Sequence, residues 1–192
     1  MIKMEQTLEE QRLEYSSRLF LATPLAGMLV WTLIGLSSLF VSEFWRVWIL
    51  FIGTGSIIYF GIFISRFTGE NFLDQSKAPN EFDRLFLFAV FQSILSYGIA
   101  IPFFLMDSNS LPISIGILTG SMWVPVSWIL KHWIGIFHAV LRTAGILILG
   151  YGFPDDRFSF IPAWIVLIYM ISILILQRRR ANLNRSKKNQ TQ

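Results

Sequence analysis

The stretch WIGIFHAVLRTAGILILGYG, residues 133–152, decides the class of protein, because it is apolar over the length of a membrane-crossing helix. Two cationic-type side chains, His138 and Arg142, interrupt it four residues apart, which places them on one face of a helix. Arg142 lies near the middle of the stretch, where a charged group exposed to lipid is costly. We therefore predict a transmembrane helix whose polar face is shielded from lipid by other helices.

The composition extends this prediction to the whole chain. Its 192 residues are 54% hydrophobic and 15% charged, with a mean hydropathy of +0.56, whereas soluble domains carry about 25% charged residues. The 18 Phe and 7 Trp residues suit helices that face lipid and place aromatic rings near the headgroups. The chain has no Cys and only two His, so thiol chemistry is excluded and we expect neither a metal site nor a cofactor.

Hydropathy divides the chain into six spans of membrane-crossing length, which predicts an all-α polytopic bundle over residues 19–176. The predicted spans are 19–40, 47–65, 85–105, 111–130, 133–152 and 159–176. Residues 1–18 predict a short amphipathic helix at the membrane surface, begun by a capping box of Thr7 and Glu10. Residues 177–192 predict a basic, disordered tail.

The Lys and Arg residues are distributed very unevenly between the predicted loops. Thirteen of the sixteen fall on the side of the two termini, two fall on the other side, and the last is Arg142. Positive residues favour the cytoplasmic side of a membrane. We therefore predict that both termini are cytoplasmic, in the inner membrane of a bacterium. The basic tail is interpreted as part of this topology signal, so we expect no nucleic-acid partner.

No predicted span contains Asp or Glu, so Arg142 needs oxygen atoms other than carboxylates as hydrogen-bond acceptors. The candidate polar cluster inside the membrane consists of His138, Arg142, Gln92, Ser96, Tyr97, Pro125 and Trp123. Pro125 enters because a proline inside a helix frees the carbonyl one turn earlier. Three interpretations stay open: a cross-link between helices through carbonyls and hydroxyls, a hydrated cationic cavity that binds an anion or a lipid headgroup, or a pH-sensing role for His138.

Small residues predict close packing of the fourth and fifth spans. Gly116 and Gly120 form a GxxxG motif, and Gly135, Ala139 and Thr143 form a similar stripe beside the polar face of the fifth span. Such positions allow helix backbones to approach each other closely. The last span contains no charged residue, and we predict that it faces mainly lipid.

The segments MWVPVSW (122–128) and HAVLRTAG (138–145) resemble a family of small, uncharacterised bacterial multi-pass membrane proteins, of the kind called domains of unknown function. The layout is also similar, with a polar N-terminal helix, a helical hairpin and an aromatic-Pro-aromatic fourth helix. The resemblance extends over about residues 10–176. It implies a bacterial integral membrane protein, and it brings neither an activity nor functional residues.

Three hypotheses for function stay open. The first is a small transporter, channel or lipid-binding or anion-binding protein that uses the cationic site. The second is a non-catalytic partner subunit, sensor or immunity-type protein in which Arg142 and His138 are purely structural. The third, an intramembrane enzyme, is disfavoured because neither histidine lies in a recognisable Ser–His pair and no acid is buried.

The expected partners follow from these hypotheses. They are the lipid bilayer, an anionic small molecule or lipid headgroup, and another transmembrane helix or a second copy of the chain.

Overall fold

The computed structural model describes residues 6–73 and 80–190, with side chains described as far as residue 182. In these residues the chain forms helices and no strands. The helices are α1 (Leu8–Ser17), α2 (Ala22–Ser37), α3 (Glu43–Thr68), α4 (Glu81–Leu95), α5 (Tyr97–Met106), α6 (Leu111–Ser121), α7 (Trp123–Ile129), α8 (Ile134–Gly152) and α9 (Arg157–Gln190). Short 3-10 turns at Ser108–Ser110 and Pro154–Asp156 precede α6 and α9.

The predicted all-α polytopic bundle is confirmed. Five spans are long and apolar enough to cross a membrane: α3, α4 with α5, α6 with α7, α8, and α9. The first predicted span, 19–40, is shorter than expected, because α2 has only 16 residues. It makes a sixth span only together with α1, from which it is bent by 52°.

Two of the spans are broken inside the bundle. The third span already begins at Glu81 and is interrupted at Ser96, between α4 and α5. The fourth is interrupted at Met122, between α6 and α7. Pro125 explains this second break, because its missing N–H leaves the carbonyl one turn earlier without a helical partner.

The predicted N-terminal helix is present as α1, and residues 1–5 of that prediction lie outside the described residues. Its capping box is confirmed, since the Glu10 N–H donates to Thr7 Oγ1 at 3.3 Å and the Thr7 N–H donates to Glu10 Oε2 at 2.8 Å. The Arg12 guanidinium donates to the Trp128 carbonyl oxygen at 2.5 Å and lies 3.8 Å above the indole ring. This contact holds α1 against the end of α7.

The two described ends of the chain lie at the same end of the bundle. Arg179 of α9 donates hydrogen bonds to the carbonyl oxygens of Ser16 in α1 and of Leu130 at the end of α7. We call this region the terminal end; it comprises α1, residues 18–21, the α7–α8 connection and α9 around Arg179.

The last helix corrects the prediction that residues 159–176 face mainly lipid. Ile161, Ile165 and Ile168 of α9 have at most 1% of their surface exposed, because α9 packs between α2 and α8. An apolar sequence is compatible with both lipid and a protein interior, so hydropathy alone does not separate the two.

The tail also differs from its prediction as a disordered segment from residue 177. The backbone of α9 continues as a helix to Gln190. Since no Gly or Pro follows Pro162, and Arg, Ala, Leu, Lys and Gln favour helices, nothing in this sequence ends the helix at residue 177.

Candidate functional site

Arg142 of α8 lies in the core of the bundle with 0% of its surface exposed. Its Nε donates to the Gly116 carbonyl oxygen at 2.9 Å. Its Nη2 donates to Thr119 Oγ1 at 2.7 Å, and its Nη1 to the Tyr169 hydroxyl at 3.3 Å. The guanidinium carbon also lies 5.3 Å from the centroid of the Trp31 ring. We call this arrangement the Arg142 cross-link, because one side chain joins α8 to α6 and α9.

The acceptors have the chemistry that the sequence predicts. All three are neutral oxygens, and no ion pair among the described residues involves Arg142. Hydrogen bonds to a charged group contribute about 1.5–3 kcal/mol each, so three of them offset a substantial part of the cost of burying the cation. The side chain reaches neither lipid nor an acid.

His138 lies one helical turn from Arg142 and is also fully buried. Its ring stacks on Trp123, with centroids 3.9 Å apart and planes 13° from parallel. Its Nδ1 lies 2.9 Å from Ser172 Oγ, and the Ser172 hydroxyl donates to the Ile168 carbonyl oxygen at 2.8 Å. Because that hydroxyl has a single proton, we assign the histidine proton to Nδ1, which leaves Nε2 as an acceptor. In the described residues Nε2 is buried and has no hydrogen-bond partner.

The contact between His138 and Ser172 corrects the expectation that neither histidine lies in a Ser–His pair. The pair was not visible in the sequence because 34 residues separate its members. It differs from an activated serine, in which the hydroxyl donates its proton to the imidazole. Here the hydroxyl donates to a backbone carbonyl, and both side chains have 0% exposure.

Glycines make room for the Arg142 cross-link. A Cβ atom on Gly120 would lie 3.0 Å from Arg142 Cδ, and one on Gly135 would lie 2.3 Å from the Trp123 carbonyl oxygen. The GxxxG motif therefore lets Arg142 lie against α6, where it reaches the carbonyl of Gly116. The close packing predicted for the fourth and fifth spans is confirmed.

Tyr169 of α9 contacts both Arg142 and His138. Its hydroxyl accepts from Arg142, and its ring lies edge-on to His138 with centroids 4.7 Å apart. A Cβ atom on Gly27 of α2 would lie 2.4 Å from the Tyr169 hydroxyl oxygen. Only a residue without a side chain leaves space for this hydroxyl, so α2 forms the fourth wall of the site.

The structure brings together three of the seven predicted cluster residues: Arg142, His138 and Trp123. The other four make no hydrogen bond or ring contact with Arg142 or His138 in the described residues: Gln92, Ser96, Tyr97 and Pro125. The Gln92 side chain is exposed. The Ser96 hydroxyl donates to the backbone carbonyl oxygen of Gln92, one turn earlier, at 2.9 Å. Tyr97 packs against Phe51 of α3. The prediction that the third span contributes side chains to the cluster is therefore corrected for Gln92 and Ser96, while Tyr97 of α5 lies near enough to Arg142 for an electrostatic interaction.

Three residues of the site were missed by the sequence analysis: Thr119, Tyr169 and Ser172. A signal for two of them exists, because Tyr169 and Ser172 lie three residues apart in an otherwise apolar span and so share a helix face. Thr119 follows Gly116 by three residues, which places it on the face that the GxxxG motif presents.

Long apolar helices around a buried, internally bonded arginine define this chain as an all-α membrane protein. Residues 8–179 match the family of unknown function DUF7010, and the chain belongs to that family. The resemblance to an uncharacterised domain family is thus confirmed, while a bacterial source stays a prediction. Searches of curated proteins and of solved structures gave no match.

Proposed function

We propose that this chain is a non-catalytic membrane component that acts by binding a partner protein, and that Arg142 and His138 hold its helices together. The observation that carries the proposal is the Arg142 cross-link, in which three nitrogens donate to oxygens of the same bundle at 2.7–3.3 Å. A cationic site for a passing anion needs donors that face a hydrated path. The donors of Arg142 face α6 and α9 instead.

The surface that remains for a partner helix is on α3 and α5. Gly55 and Gly98 lie there with exposed backbones, and a Cβ atom on either would meet nothing within 4 Å. Small residues on a lipid-facing surface let another helix approach closely. Crosslinking in native membranes tests this role, and we expect a product larger than the monomer. Recovery of monomer alone would contradict it.

The structural role of Arg142 is tested by Arg142→Gln, with Arg66→Gln as the matched control on an exposed site of α3. We expect Arg142→Gln to reduce the folded protein that accumulates in the membrane severalfold, because a neutral amide replaces the charge-assisted bonds. Arg66→Gln is expected to accumulate as the unchanged chain does. Normal accumulation of Arg142→Gln would contradict the structural role.

A second candidate, passage of an anion through the core, has one observation in its favour. The Nε2 atom of His138 is a buried acceptor with no partner among the described residues. Only a donor such as water satisfies an acceptor of this kind, and a water molecule there would hydrate the core one turn from Arg142. Proteoliposomes that contain the unchanged chain would then conduct chloride, and Arg142→Gln would abolish that flux while accumulating normally. No flux from the unchanged chain excludes this candidate.

The absence of catalysis is supported by the geometry of Ser172, whose hydroxyl donates to Ile168 rather than to His138. A fluorophosphonate probe, which labels activated serines, is therefore expected to leave the chain unlabelled. Labelling that Ser172→Ala removes would contradict the proposal and establish an intramembrane hydrolase.

We extend the proposal to the orientation, with the terminal end on the cytoplasmic side, because positive residues are concentrated there. The chain has no Cys, so a maleimide can react only with a cysteine introduced by substitution, and its labelling shows on which side of the membrane that position lies. In cells, an impermeant maleimide is expected to label Asp155→Cys and to leave Gln6→Cys unlabelled. The reverse pattern would show the opposite orientation.

A further inference from the structure

A cavity opens at the terminal end of the bundle, between the α1–α2 bend and α9. Its volume is about 130 Å³; residues 17–21 line one side, and Leu176, Arg179 and Arg180 line the other. One water molecule needs roughly 15 Å³ of such space. The cavity therefore has room for a polyatomic group.

Three guanidinium groups line this cavity, and they differ in their carboxylate partners. Arg18 bonds Glu14 at 2.7 Å and Asp83 at 2.8 Å, so its charge is compensated. The hydrogen bonds of Arg179 go to backbone carbonyls, which carry no net charge. Among the side chains that the structure describes, no ion pair includes Arg179 or Arg180. The α9 side of the cavity is therefore electropositive.

The cavity lies at the level where the apolar part of the bundle ends. Leu176 is buried, and the charged residues of the C-terminal part of α9 begin two positions later with Arg178. Trp128 and Trp133, both 56% exposed, lie at the same end of the bundle, and exposed indoles are enriched at the headgroup level of a membrane. A lipid phosphate reaches this level without leaving the bilayer.

We infer that this cavity binds a phosphate group, carried either by an anionic lipid headgroup or by inorganic phosphate. Arg179 and Arg180 supply charge-assisted hydrogen bonds to the phosphate oxygens, and the α1–α2 bend forms the opposite wall. Basic pockets between transmembrane helices are an established way to hold anionic headgroups. The site is separate from the Arg142 cross-link, so the inference goes beyond the proposed function and does not depend on it.

The first test uses the full chain in an uncharged detergent, supplied with equal amounts of phosphatidylglycerol and phosphatidylcholine. Native mass spectrometry is expected to find preferential retention of phosphatidylglycerol. In parallel, sodium phosphate replaces sodium chloride at constant ionic strength while the thermal unfolding midpoint is measured. Because phosphate also stabilises proteins by exclusion from their surface, only a rise in the midpoint that Arg180→Gln abolishes identifies inorganic phosphate as an occupant. Lipid retention without such a rise identifies the headgroup. The absence of both effects overturns the inference.

The second test separates the cavity from general attraction to a basic helix. Arg180→Gln removes a lining charge, and Arg178→Gln removes a charge that is also exposed but lies outside the lining. We expect Arg180→Gln to weaken retention of the phosphate-bearing ligand about fivefold, Arg180→Lys to restore most of it, and Arg178→Gln to leave it nearly unchanged. Equal losses in the two Gln variants overturn the inference. Both positions are on the surface, where substitutions change stability little.

Discussion

The two halves of the bundle differ in how much of their surface is covered by protein. In α8, α9 and the span of α6 with α7, 44% of the most apolar stretch is buried, against 17% in α3 and in the span of α4 with α5. We call these the covered half and the open half. The Arg142 cross-link draws its bonded oxygens from the covered half alone. A polar group that faces lipid has no water to bond with, so an unpaired cation is stable only where neighbours enclose it.

The same side chain chemistry has different consequences in the two halves. In the open half, the Ser56 hydroxyl donates to the Gly53 carbonyl of its own helix at 2.7 Å. In the covered half, the Thr119 hydroxyl likewise donates to the Ile115 carbonyl at 2.7 Å, but its oxygen also accepts from Arg142. A hydroxyl that donates its proton to a carbonyl of its own helix can still accept a hydrogen bond. It links two helices only where a side chain of a neighbouring helix supplies the donor.

The largest expected difference between the halves comes from adding one methyl group to a glycine. Gly135→Ala is expected to destabilise the protein by about 3 kcal/mol, because the new Cβ meets a backbone carbonyl that does not move cheaply. Gly55→Ala, in the open half, is expected to stabilise α3 by about 0.5–1 kcal/mol. Thermal unfolding in detergent measures both, and shifts of equal sign would show that the halves are packed alike.

A smaller difference is expected when a threonine hydroxyl is removed. Thr119→Val leaves a buried Arg142 donor without its acceptor, at a cost of about 1–3 kcal/mol. The matched control is Thr32→Val in α2, whose hydroxyl bonds only the Met28 carbonyl in the described contacts; its expected change is within about 0.5 kcal/mol. Similar unfolding midpoints for the two variants would mean that Thr119 does not hold the guanidinium.

Tyr169→Phe is expected to have a still smaller effect, because the bond from Arg142 to the Tyr169 hydroxyl is the longest of the three at 3.3 Å. We expect a loss of about 1 kcal/mol in the free energy of unfolding. Tyr59→Phe on α3, where the ring is 72% exposed, is the control and is expected to be neutral. A loss for Tyr169→Phe as large as that for Thr119→Val would contradict the expectation that the bond to Tyr169 contributes less stability than the bond to Thr119.

The smallest expected effect concerns pH at the edge of the covered half. Burial, and secondarily the charge of Arg179, lower the pKa of His132 in the α7–α8 connection. The unfolded chain then binds more protons below the ordinary histidine pKa of about 6.5, so stability falls as the pH drops through that value. His132→Asn is expected to show a shallower loss between pH 7.5 and 5.5. Identical slopes would show that His132 is not desolvated in the folded protein.

The site was partly predictable for a definite physical reason. A guanidinium at the middle of an apolar helix requires enclosure, and spans without Asp or Glu leave only neutral oxygens as acceptors, so this much follows from residue types. The identity of the acceptors does not follow. It depends on the rotation of each helix about its axis, which turns Thr119 towards Arg142 and turns Gln92 outward.

By itself, the sequence determined the class of protein: apolar lengths that match a bilayer, a capped polar helix before them, and one arginine in need of neutral oxygens. Only the tertiary structure decided that α9 is central and that α4 faces outward. The physical reason is that lipid and an apolar protein interior solvate a leucine almost equally, so hydropathy does not rank the helices by burial. The shape of the helix surfaces decides which helices are buried. Gly27 leaves space for the Tyr169 hydroxyl, Gly120 for the Arg142 side chain, and Gly135 for the backbone of α7.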